Sequence, residues 1–245
     1  MGSRETVPSF DGDESIFGRE EVVSDIVKTL ISSNNQEKLS VAAIVGMAGL
    51  GKTTLAKSVY NDDAIDKSFD KRIWVCVSNT FEVNLILSRV LELLNSGKTG
   101  IQSQEALLQN LEEELTGKRY ILILDDVWNE DNIKWNILMS CLLKLNSAQG
   151  STIIVTTRSA NVASIIETLP RYDLKNLSTE DCWSILKHRA FPNGSTPIAP
   201  DLERIGKVIA EKCAGIPLVA KLSLWLHLSV STLWSLSSHS VVARG

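Results

Sequence analysis

The chain has 245 residues, 44% hydrophobic and 22% charged, with a formal net charge of −4, enough for one large globular domain or one plus a smaller companion. There is no broad basic field, so nucleic acid is not an expected partner. The four cysteines (Cys76, Cys141, Cys182, Cys213) form no Cys-x-x-Cys pair and His188, His227 and His239 add no ligand spacing, which argues against a zinc site and for free thiols in a reducing compartment.

Residues 1–15 read as a flexible lead-in without the apolar run of a secretory signal, and a cytoplasmic location is expected. Apolar residues then recur at helical spacing from Arg19 to Ile31, and Ser32 to Asn35 ends that helix. Leu39 to Val45 reads as a buried strand. It runs directly into Gly46-Met47-Ala48-Gly49-Leu50-Gly51-Lys52-Thr53-Thr54, with a helix expected from Thr54 to Tyr60. Glycines at these intervals followed by Lys-Thr make a loop whose backbone amides wrap phosphates, whose lysine neutralises them and whose hydroxyl ligates magnesium. Gly46, Met47, Gly49, Leu50, Gly51, Lys52, Thr53 and Thr54 are therefore candidate nucleotide-binding residues.

Further along, Lys71 to Ser78 reads as a second strand, followed by helices near Asn84–Leu94 and Gln104–Leu115. Tyr120 to Leu124 is an unbroken apolar run ending in Asp125-Asp126, as expected of a central parallel strand covered on both faces. A helix near Trp135–Leu145, the strand Ser151–Thr157, a short helix near Val162–Glu167 and a weak edge strand at Tyr172–Leu174 complete the alternation. Such alternation predicts an α/β fold, a three-layer sandwich around a parallel sheet, over 16–175. Beyond Lys175 the pattern is helical only. Ser178 to Asp181 has a capping signature for a helix to about Arg189, Phe191 to Gly194 breaks it, and a helix from about Leu202 to Ala214 stops at Gly215. Residues 176–221 thus read as a small all-helical subdomain.

Ligands of open α/β sheets gather beyond the carboxyl ends of the strands. Asp125 is the expected Mg²⁺ ligand together with Thr53, and Asp126 the expected general base, since successive strand residues point to opposite faces. Arg158, at the end of the Ser151–Thr157 strand, could sense a γ-phosphate. Lys52, Asp126 and Arg158 are the catalytic candidates.

These motifs together resemble the NB-ARC module of plant disease-resistance receptors, a branch of the P-loop NTPases. Phe69 to Ser78 is similar to the family's second-strand motif, Ile121 to Trp128 to its Walker B motif and Gly150 to Arg158 to its sensor strand. Leu174 to Phe191 resembles its next helical motif, Gly215-Ile216-Pro217-Leu218 its Gly-Leu-Pro-Leu motif and Ile16 to Glu20 its adenine-contacting segment. Trp128 and the Trp74 strand resemble the coiled-coil branch. The resemblance implies an ADP/ATP switch with slow hydrolysis, with Phe17, Gly18 and Arg19 around the adenine, Pro217 against the base, Leu218 among the nucleotide-binding residues, Thr54 near the α-phosphate and Arg158 as sensor. It also implies other receptor domains or a full-length receptor as partners, with self-association possible.

After Lys221 the pattern departs from the family, whose next subdomain and Met-His-Asp motif do not follow. The Leu/Ser/Trp-rich stretch 222–245 reads as a divergent tail, as an altered reading frame, a retained intron or a truncated gene product would leave, and is not expected to span a membrane. Two alternatives remain open: a truncated decoy that no longer switches, and an ordinary catalytic NTPase.

Overall fold

A computed structural model describes residues 16–32, 37–77, 81–98, 100, 103–191 and 198–223. The expectations for the lead-in, Ser33–Asn35, Ser78, Pro192–Gly194 and nearly all of the tail fall outside these residues. Among the described residues, no helix is long and apolar enough to cross a membrane.

The first unit alternates helix and strand: α1 (Glu20–Ser32), β1 (Leu39–Val45), α2 (Lys52–Tyr60), α3 (Asp63–Ser68), β2 (Lys71–Cys76), α4 (Val83–Leu94), α5 (Gln104–Leu115), β3 (Tyr120–Val127), α6 (Asn132–Lys144), β4 (Ser151–Thr157), α7 (Ala160–Ile166) and β5 (Tyr172–Asp173). The five strands form one parallel sheet in the order β2-β3-β4-β1-β5. Every residue of β1 and β4 is buried, the mark of strands covered on both faces; β1 is a nearly continuous apolar run, whereas β4 buries Ser and Thr on either side of Ile153-Ile154-Val155. β4 lies between β1 and β3, so the chain segments leaving β1, β3 and β4 emerge side by side at the carboxyl edge.

Local chemistry explains where the helices begin. Asp131 accepts from the amides of Ile133 and Lys134 at the start of α6, and Ser159 accepts from Asn161 and Val162 at the start of α7. Helix α3 was not anticipated from the sequence. Six residues carry too little periodicity to register, although Asp62 caps it by accepting from the Ala64 amide at 2.8 Å.

Contacts divide the chain after Leu174, and Gly49–Gly51 group with the later residues. That second unit contains α8 (Thr179–Ala190), α9 (Pro200–Lys212) and a helical stretch over 217–223. The expected capping box is present: Ser178 Oγ accepts from the Asp181 amide, and the Asp181 carboxylate accepts from the Ser178 amide. Gly215 has a φ of +73°, and a Cβ on it would meet the Leu177 carbonyl oxygen at 2.5 Å. Only glycine fits that turn, where the Leu177 amide donates to the Gly215 carbonyl at 2.8 Å.

Candidate functional site

The loop leaves β1 tethered to its neighbour strand, the Gly46 amide donating to the Thr157 carbonyl at 3.2 Å. Helix α2 starts at Lys52, immediately after the loop, and a helix N-terminus, with its positive dipole end, favours an anion. Lys52 is buried. Its Nζ donates to the carbonyls of Gly46 (2.8 Å) and Met47 (3.0 Å). Burial, and next the positive charge of Arg158, lower the Lys52 pKa from its usual value, while Asp126 and Asp125 act in the opposite direction.

Asp125 is 6% exposed and held from β4 and from the first turn of α2. Its carboxylate accepts from the Thr156 hydroxyl at 2.5 Å and from the Thr53 hydroxyl at 3.0 and 3.2 Å to its two oxygens. Burial raises the Asp125 pKa, and the hydroxyl donations from Thr156 and Thr53 only partly oppose that rise. A buried carboxylate disfavoured as an anion, beside the hydroxyl that opens α2, is a donor set that a hard cation would stabilise.

Strict alternation was expected to separate the two aspartates, but the structure separates them differently. Leu124 pairs with Val155 and Val127 with Thr157, so Asp125 and Asp126 together oppose the single residue Thr156 in a β-bulge. Asp126 takes up the extra residue with a left-handed φ of 56°, and its amide donates to the Thr156 hydroxyl at 2.9 Å instead of to the ladder. Thr156 therefore satisfies both acids, orienting the carboxylate of one and the backbone of the other. The sequence reading missed this role, because Thr156 looks like any strand residue until β3 and β4 are placed in register.

Arg158 sits just past β4. Its Nε lies 3.7 Å from the Asp126 carboxylate and its guanidinium carbon 4.4 Å from the centroid of the Trp128 ring. Lys52, Thr53, Asp125, Asp126 and Arg158, drawn from three chain segments, are thus brought to one edge of the sheet.

The NB-ARC domain family matches residues 19–196. This chain belongs to the NB-ARC family. It is 41% identical over 234 residues to the disease resistance protein RGA2 of Solanum bulbocastanum, covering 90% of this chain and 24% of that protein. The chain spans about a quarter of the length of the curated relatives it matches. Two solved structures share the fold at low identity. The Aeropyrum pernix ORC1 protein, solved in complex with DNA, aligns with a TM-score of 0.62 at 18% identity, over 85% of this chain and 58% of that one. A signal transduction ATPase with numerous domains from Pyrococcus horikoshii, which carries a tetratricopeptide repeat sensor, aligns with a TM-score of 0.52 at 21% identity, over 84% and 29%.

The remaining candidates of this NB-ARC chain occupy varied settings. Thr54 is half-buried in the first turn of α2, Leu50 is buried, and Met47 is 58% exposed. Phe17, Gly18 and Arg19 directly precede α1, which packs against α2. Gly49 and Gly51 fall in the second unit with half-buried Pro217 and exposed Leu218. There the Leu218 amide donates to the Gly49 carbonyl at 3.2 Å, and a Cβ on Gly49 would come within 3.1 Å of Ile216 and Leu218. Among the described residues no group of three or more His, Cys, Asp or Glu could hold a metal alone. The Thr53–Asp125 pair suits an ion that draws its other ligands from phosphate and water.

Proposed function

We propose that this chain is the ADP/ATP-binding switch module of a plant immune receptor, with slow hydrolysis at most. The observation that carries this reading is the convergence of Lys52 and Arg158 beside the Thr53–Asp125 pair. Two cations close enough for one to depress the other's pKa suit a polyanion set between them. Lys52 would exchange the loop carbonyls for phosphate oxygens, Thr53 and Asp125 would hold Mg²⁺, and Arg158 would meet the γ-phosphate. Magnesium, when bound with the nucleotide, offsets negative charge on the phosphates. Asp126 is the candidate for accepting a proton from water, and its engagement with Arg158 suits a slow reaction better than a fast one. The curated relatives' disease-resistance names support the receptor part of the reading.

Thermal unfolding with added ADP or ATP tests it. A ligand at about 1,000 times its Kd stabilises by roughly 4 kcal/mol; both nucleotides are expected to raise the midpoint, and Lys52→Ala to remove most of that shift. No shift with any adenine nucleotide, or an undiminished shift in Lys52→Ala, would overturn the reading. Turnover above about 1 s⁻¹ would replace the switch with an ordinary catalytic NTPase.

A further inference from the structure

We propose that Trp128 is a positioning residue for Arg158, presenting the guanidinium so that the site distinguishes a nucleoside triphosphate from a diphosphate. The proposal rests on the reading of Arg158 as the γ-phosphate sensor. Val127 and Thr157 are register partners, so Trp128 and Arg158 are the first residues past paired positions on adjacent parallel strands. Their side chains then meet face to ring, with 4.4 Å from the guanidinium carbon to the ring centroid.

A guanidinium over an indole face is held by the ring's quadrupole, which leaves its planar N–H fork free at the edges. Holding the same arginine by a bidentate carboxylate would consume that fork. Asp126 engages Nε at 3.7 Å, too long for a hydrogen bond and between half-exposed side chains, so it anchors Arg158 weakly. The ring supplies what the carboxylate does not: a fixed plane.

The chain segments on either side of the stacked pair are fastened in turn. The Trp135 indole N–H donates to the Asn129 carbonyl at 2.8 Å, tying the segment after β3 to α6. The Ser159 hydroxyl donates to the Glu130 carboxylate at 2.5 Å, and the Asn161 side-chain amide donates to it at 3.4 Å. The segments carrying Trp128 and Arg158 are thus fastened to each other next to the stacked pair. Trp128 is 47% exposed and lies outside the main hydrophobic cluster, so core packing does not account for an indole at this position.

The test measures Kd for ADP and for a non-hydrolysable ATP analogue, with Mg²⁺, in the wild-type chain, Trp128→Ala, Trp128→Phe, Arg158→Ala and the Trp128→Ala/Arg158→Ala double variant. Trp128→Ala is expected to weaken the ATP analogue about fivefold relative to ADP, and Trp128→Phe to recover most of that loss. In the Arg158→Ala background, removing the ring should change the ratio no further. Equal weakening of both nucleotides by Trp128→Ala, or effects that add in the double variant, would overturn the positioning role while leaving the Arg158 reading intact. An unchanged ratio in Arg158→Ala would instead overturn the sensor reading and the proposal with it.

Discussion

Two arginines stand at opposite ends of neighbouring strands, each over an aromatic ring, yet their surroundings differ. Arg119, just before β3, is 9% exposed, and its guanidinium carbon lies 4.2 Å from the Phe69 centroid. It donates to the carbonyls of Gly150 (2.8 Å), Leu30 (2.9 Å) and Ser68 (3.2 Å). Burial lowers its pKa, with the Asp70 charge opposing that shift. Arg158, just after β4, is 41% exposed in its side chain, with a long ion pair and a ring beside it. Both cations can stack on a ring, but only the first has its donors directed at carbonyls of the fold. A guanidinium satisfied by the fold contributes to stability, whereas one left with open N–H edges is available to something that arrives.

Breaking that contrast at its structural end should have the largest effect. Arg119→Ala removes the guanidinium donors to three carbonyls and empties a stacked site, and is expected to lower the unfolding free energy by about 3 kcal/mol in urea titrations. Arg158→Ala should stay within about 0.5 kcal/mol in the same experiment without nucleotide; a loss comparable to that of Arg119→Ala would erase the distinction. Next in size is Thr156→Val, which removes the donor to Asp125 and the acceptor for the Asp126 amide. It should cost about 1–2 kcal/mol and weaken the magnesium dependence of nucleotide binding, with Thr156→Ser restoring both; unchanged magnesium dependence would confine Thr156 to a structural role.

The smallest effect sharpens the functional end through pH. The Lys52 pKa is lowered in the folded chain, chiefly by burial and then by Arg158, so between its folded value and 10.5 the unfolded chain binds more protons. Stability contributed at this site therefore rises with pH through that window and is lost as pH falls through the folded pKa. Without nucleotide, the wild-type midpoint should gain on Lys52→Met as pH approaches 10.5. A difference flat from neutral pH to 10.5 would show that Lys52 is not perturbed.

Much of this was legible in the sequence because it is local. The loop from Gly46 to Thr54 carries its spacing in nine consecutive residues, and the apolar runs of β1 and β3 announce buried strands. What was not legible depends on partners far apart in the chain. Arg119 reaches carbonyls at Leu30, Ser68 and Gly150, and nothing in Lys118-Arg119-Tyr120 foretells them. Thr156 gains its role only where the β3–β4 register slips by one residue, and the same slip replaced simple alternation at Asp125-Asp126. Trp128 was readable as a family marker, while its stacking on Arg158 follows from the pairing of Val127 with Thr157.

The left-handed backbone of Asp126 imposes a filter on the residues this position will accept. Asparagine and glycine enter that conformation at little expense, alanine less readily, and β-branched residues with difficulty. An alanine at 126 would therefore reshape the strand end while deleting the carboxylate, and the two consequences would arrive together in any measurement. Asparagine keeps the φ, the side-chain length and the amide donated to Thr156, while it removes the charge and turns one acceptor oxygen into a donor. A map of tolerated substitutions at this site should follow backbone geometry first and acidity second, with folding selecting the residues from which function could then choose.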